Sequence, residues 1–292
     1  EFRLGWYHHI SGIQRLPEMS DTQISLIVPY HDAELLPFLN RAQKLGISIL
    51  PEVPRKMIDE QDYDAIAAYV AQHDSHPAVL GWYSADEPGL KKKADWSPKV
   101  MTAVYNAIRS KSEKPVYLCF SYVEMDRGDV ERYRDSFDVM LVNHYPYRLN
   151  KLGAESNAKA MEYWKNLIVL TGETARKMDR PWLNVLQAIG PREGRRNHGF
   201  RLPNLEEARF QLFWSVLNDA DGALYFCYYW TRNVHASEGE AYEGDGKTWI
   251  TSILTPVVQE FKPLASSLIQ SNHVKEGVSV SQNQIRARVY RD

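Results

Sequence analysis

Val79-Leu80-Gly81-Trp82-Tyr83-Ser84-Ala85-Asp86-Glu87-Pro88 is an apolar, aromatic run that ends on two acids and a proline. A short continuous apolar run of this kind reads as a strand buried on both faces, the type found in parallel sheets covered by helices. Seven further runs have the same character: Arg3 to His8, Ile24 to Tyr30, Ile47 to Glu52, Val116 to Tyr122, Val139 to Tyr145, Trp182 to Ala188 and Ala223 to Trp230. Amphipathic stretches separate them. Leu35, Leu36, Leu39, Ala42 and Leu45 make one apolar helical face, and Asp64 to His73, Lys99 to Lys111, Ala158 to Lys177, Leu205 to Leu217 and Thr248 to Ile269 follow the same spacing. Gly46 and Asn204 supply a helix stop and a helix cap.

Eight strand patterns alternating with helical ones predict an α/β fold, the (β/α)8 TIM barrel, which typically takes about 250 residues. The chain has 292, enough for one such domain. Residues 10–22 are short for a full first helix, and Asp126 to Phe137 leaves room only for a brief one. After Ser271 the pattern changes to alternation around Asn283. Residues 1–271 are therefore read as the barrel, and 272–292 as a β-hairpin or the start of a truncated β domain.

Hydrophobic residues make up 44% of the chain, which is ample for a large core. The net charge of −2 provides no basic field for phosphate backbones, so nucleic acid is not an expected partner. Lys91-Lys92-Lys93 reads as a solvated loop. No stretch approaches the roughly 18 apolar residues of a membrane span. Cys119 and Cys227 each lie within a strand pattern and read as packed free thiols. There is no Gly-rich phosphate loop, no paired cysteine ligands and no Gly-x-Ser-x-Gly elbow. His8-His9 alone is too few ligands for a metal. No metal or organic cofactor is expected, and the pattern leaves the oligomeric state open.

In such barrels the site lies at the C-terminal ends of the strands, where the βα loops converge. Those ends carry Trp6, Tyr7 and His8; Tyr30; Glu52; Tyr83, Asp86 and Glu87; His144 and Tyr145; Gln187; and Tyr229 and Trp230. Flat rings for C–H faces, with amides, imidazoles and carboxylates for hydroxyls, suit a carbohydrate substrate. Alternation alone leaves open which aromatics face inward.

The segment Asp86-Glu87-Pro88 at the end of the fourth strand resembles the motif of the (β/α)8 glycoside hydrolases that include cellulases and β-galactosidases. In them an Asn-Glu-Pro or Asp-Glu-Pro carries the general acid/base. The resemblance implies that Glu87 is the acid, with Asp86 supporting it. Chemically, a glycosidic oxygen leaves poorly until protonated, and a carboxyl in an aromatic-lined cleft can hold its proton near neutral pH. The plainer reading is a strand end whose acids start a helix.

The chain departs from the family at the end of the seventh strand, where retaining members place a nucleophilic Glu and this sequence has Gln187. Three explanations remain open. An inverting mechanism would take a base from elsewhere, at a carboxyl separation of about 6.5–9.5 Å. A second carboxylate could come from Asp32, Glu52, Glu124 or Glu243. Hydrolysis could be lost, leaving a carbohydrate-binding barrel. A polysaccharide lyase using Tyr and His is a further alternative. Arg192, Arg195, Arg196, His198 and Arg201 make the seventh loop basic, hinting at an anionic sugar. A polysaccharide-degrading role carries the expectation of a secreted or periplasmic protein with its signal removed.

Overall fold

The computed structural model describes residues 2–9, 13–29, 34–90, 96–148, 154–190, 199–228, 231, 245–270, 272–274 and 289–291. At its centre are eight strands: β1 (Arg3–His9), β2 (Leu26–Pro29), β3 (Ser48–Ile49), β4 (Trp82–Asp86), β5 (Val116–Ser121), β6 (Val139–Asn143), β7 (Trp182–Gln187) and β8 (Gly222–Phe226). They neighbour one another in the order β3-β2-β1-β8-β7-β6-β5-β4. Every pairing among them is parallel. The two ends of that order meet through parallel bridges at Ile49–Val79 and Glu52–Tyr83. There the Tyr83 amide donates to the Pro51 carbonyl and the Val53 amide to Tyr83, both at 2.9 Å. The barrel is closed, and all its C-terminal strand ends open on one face.

Alternation along the strands sorts side chains into two layers. Tyr7, Leu26, Val28, Leu50, Tyr83, Tyr117, Cys119, Leu141, Leu183, Val185 and Leu224 fill the barrel interior. The intervening residues, among them Trp6, Ile27, Trp82, Leu118, Phe120, Met140, Val142, Trp182 and Tyr225, pack outward with Phe38, Ile66, Val104, Trp164, Leu212 and Phe261 of the surrounding helices. Cys119 and Cys227 are buried free thiols.

Gly5 marks the tightest approach inside the barrel. A Cβ there would sit 2.7 Å from the Leu26 carbonyl oxygen and also strike Leu224. Backbone cannot yield as a flexible side chain can, so Gly5→Ala is expected to destabilise the fold by about 1–3 kcal/mol. Denaturant unfolding would measure it, and a variant as stable as the parent would show that the strands can move apart.

Several elements are shorter than the sequence pattern implies. The third strand shrinks to Ser48–Ile49, because Pro51 and Pro54 lack amide donors for a continued ladder. The eighth ends at Phe226, because the Cys227 carbonyl accepts from the Thr231 amide in a helical turn. Among the described residues the two tight spacers hold a 3-10 turn with a five-residue helix (Ile13–Arg15, Leu16–Ser20), and a five-residue helix with a 3-10 turn (Tyr122–Asp126, Asp129–Tyr133). Past the barrel, Asn272–Val274 pairs antiparallel with Val289–Arg291. No helix among the described residues is long and apolar enough to cross a membrane.

Candidate active site

The register of β4 against β5 shifts between Tyr83 and Ala85. Tyr83 faces the interior, and plain alternation would face Ala85 inward too. The shift instead turns Ala85 to the outer layer. Asp86 then faces the interior, where Tyr7 Oη donates to its Oδ1 at 2.7 Å. The Tyr7 and Tyr83 hydroxyls lie 2.5 Å apart. Since Tyr7 gives its proton toward Asp86, Tyr83 is the donor in that second bond. Burial first, then the Asp86 carboxyl, pushes both phenols well above the ordinary tyrosine value, so they remain neutral donors.

Glu87 follows at the strand end. Its amide donates to the Cys119 carbonyl at 2.8 Å, which keeps it in the sheet ladder. Its φ is +50°, in the left-handed region. For a residue with a Cβ this conformation costs about 1–2 kcal/mol, and strain of this kind tends to gather at functional positions. The Glu87 carboxyl accepts from Asn143 Nδ2 at 3.0 Å, across from the end of β6. Nothing in the motif reading singled out Asn143, although the inward alternation of Val139 and Leu141 makes it the next interior position. Tyr145 stacks on Phe226 with centroids 5.4 Å apart at 15°, and Phe200 meets Tyr145 edge-on at 5.7 Å. The Arg148 guanidinium lies 3.9 Å above the Phe200 ring. Asp86, Glu87, Asn143, Tyr145 and Phe226 thus gather at one side of the barrel mouth.

Other expected site residues have different places. Trp6 points outward: it is fully buried, donates to Thr22 Oγ1 at 3.3 Å and packs edge-on to Tyr228. It belongs to the helix-facing layer, because Tyr7 takes the inward position. Glu52 is buried, accepts from Arg55 Nε at 3.1 Å and borders a cavity between the helices Leu35–Lys44 and Tyr63–His73.

Gln187 is wholly buried at the end of β7. Its Nε2 donates to the carbonyls of Tyr147 and Arg201, and its Oε1 accepts from the Tyr147 amide, each at 2.8 Å. The side chain clamps two loops to the barrel and is committed to backbone rather than to hydroxyls. Arg201, one of the basic residues of that loop, makes a two-pronged pair with Glu207 at 2.6 Å for each contact. Glu207 also closes a capping box with Asn204 at the start of the helix Leu205–Leu217. The backbone of β1 includes His8, but its side chain lies outside the described residues, as do Tyr30, Asp32, Arg192, Arg195, Arg196, His198, Tyr229, Trp230 and Glu243. Among the described residues no group of three His, Cys, Asp or Glu could hold a metal ion.

His144 packs between Tyr122 (4.5 Å between centroids) and Tyr163 (5.3 Å). Burial, aided by the nearby Arg148 charge, lowers its imidazole from 6.5 to about 4. With the folded value below the unfolded one, this residue contributes stability that is fully present above pH 6.5 and lost as pH falls through 4. At about 1.4 kcal/mol per unit, the loss at low pH reaches about 3 kcal/mol. His144→Phe keeps a ring without a titrating nitrogen. Its unfolding free energy is expected to fall less than the parent's between pH 7 and pH 4, and parallel pH curves would overturn the assignment.

No protein-family model matches this chain, and no curated protein matches it in sequence. Solved structures do match it in fold. The β-glucuronidase of Ruminococcus gnavus superposes with a TM-score of 0.60 at 13% identity, over 88% of this chain and 49% of that one. The same enzyme in complex with D-glucuronic acid gives 0.61 at 14%, over 88% and 49%. The GH113 β-mannanase AaManA of Alicyclobacillus acidocaldarius gives 0.57 at 12%, over 90% of this chain and 97% of that one. The chain spans about half the length of the β-glucuronidase chains. Its closed ring of eight parallel strands and these superpositions make its fold the (β/α)8 barrel, the fold it shares with these enzymes.

Proposed function

We propose that this barrel hydrolyses O-glycosidic bonds of an oligo- or polysaccharide, with Glu87 as the general acid. The observation that carries the reading is the strained Glu87 at the end of β4, its carboxyl held on Asn143 beside Asp86 and the Tyr145–Phe226 stack. A carboxyl there can hand its proton to the leaving oxygen, while the stacked rings offer a platform for a sugar's C–H face. Glu52 and Glu124 are engaged with Arg55 and with the backbone of Gly89 and Ser121. The second carboxylate is therefore sought at Asp32 or Glu243, the remaining candidates.

The test is release of reducing ends from a panel of neutral and acidic oligosaccharides. It should include β-glucuronides and β-mannans, because enzymes acting on these have the similar folds. Cleavage of one member supports the hydrolase. An ultraviolet-absorbing unsaturated product points instead to a lyase. One observation favours a second reading, a carbohydrate-binding barrel without catalysis: the β7 position carries an amide already spent on the backbone. Binding of a glycan without any product would favour it.

A further inference from the structure

Glu124 is wholly buried, and its hydrogen bonds run in two directions. Oε2 accepts from the Ser121 amide at 2.8 Å and from Ser121 Oγ at 3.0 Å, closing the capping box of the helix Tyr122–Asp126. Oε1 accepts from the Gly89 amide at 2.6 Å. Gly89 lies two residues beyond Glu87, in the single turn Pro88–Leu90. A Cβ on Gly89 would come within 2.8 Å of Glu124 Oε1, so the close approach requires glycine. A capping box needs only one of the two carboxylate oxygens. The other reaches across to the chain segment that leaves Glu87.

We propose that Glu124 is the positioning residue of Glu87: by gripping the Gly89 amide it holds the turn that fixes the left-handed backbone at Glu87 and so aims its carboxyl at Asn143. The inference rests on the reading of Glu87 as the acid, but its geometry does not depend on any substrate. Burial raises the Glu124 carboxyl, the Ser121 and Gly89 bonds pull the other way, and the Glu87 charge adds a smaller rise.

The NMR shift of the Asn143 side-chain amide, assigned with Asn143→Ala and read against Glu87→Ala, in which the bond to Glu87 is gone, tests this without a substrate. In Glu124→Ala, which releases the Gly89 amide, that shift is expected to move toward its Glu87→Ala position. Gly89→Ala, which forces Glu124 away from the turn, should move it in the same direction by less. If the shift is unchanged in whichever of these variants folds, the proposal is overturned. A failed activity screen would count against hydrolysis and leave the NMR result standing.

Discussion

Glu87→Gln is expected to lower turnover of an unactivated oligosaccharide by about 10²–10⁴-fold, the usual worth of a positioned general acid. The amide keeps the shape of the carboxyl and can still accept from Asn143 Nδ2 through its oxygen. Its thermal midpoint should therefore stay close to the parent's. What disappears is the proton for the leaving oxygen. An aryl glycoside, whose phenolate leaves with little protonation, should lose far less rate than a natural linkage. That contrast separates a lost acid from a damaged cleft, which would slow both substrates alike. Full activity in the variant would make Glu87 structural and leave its strained backbone without a catalytic explanation.

The second large effect is on stability. Gln187→Glu is the substitution that the family pattern invites, since it installs a carboxylate where retaining enzymes carry their nucleophile. In this barrel it should fail. The Gln187 Nε2 faces two carbonyl oxygens at 2.8 Å. An ionised carboxylate has no proton to offer either of them and would be buried against both. A loss of about 3–5 kcal/mol is expected, read by denaturant unfolding, with no gain of hydrolysis. Gln187→Ala, which removes three hydrogen bonds to buried backbone, should cost a similar amount. A stable Gln187→Glu protein that cleaved sugars would show that the loops can release this side chain.

The barrel was legible in the sequence because its strands are uninterrupted apolar runs and its helices repeat at 3.6 residues, signals that depend on local pattern alone. The place of Glu87 at a strand end was legible for a similar reason, as part of a contiguous motif. What could not be read was direction. Trp6 and Tyr7 are adjacent aromatics, and only the closed sheet decides that Tyr7 takes the interior. At β4 a register shift reverses the alternation, so Asp86 rather than Ala85 faces inward. Gln187 lies at the end of β7, where the resemblance would put a nucleophile, but is bound to the backbone of two loops 14 and 40 residues away in the chain. The bond from Asn143 to Glu87 and the grip of Glu124 on Gly89 are contacts between distant strand ends, and neither bond has a linear signature.

The pairing of β1 with β8 has a consequence for how the protein can break. Arg3 to Tyr7 lie alongside Gly222 to Phe226, joining parts of the chain more than 200 residues apart. A closed ring of strands has no exposed edge to offer another chain. Cleavage that removed β8 would not simply shorten the molecule. It would lay bare one side of β1 and one side of β7, two apolar ribbons with unsatisfied amides that another chain could template onto. Resistance to aggregation is thus a property of the whole circuit, held by its least local strand pairing.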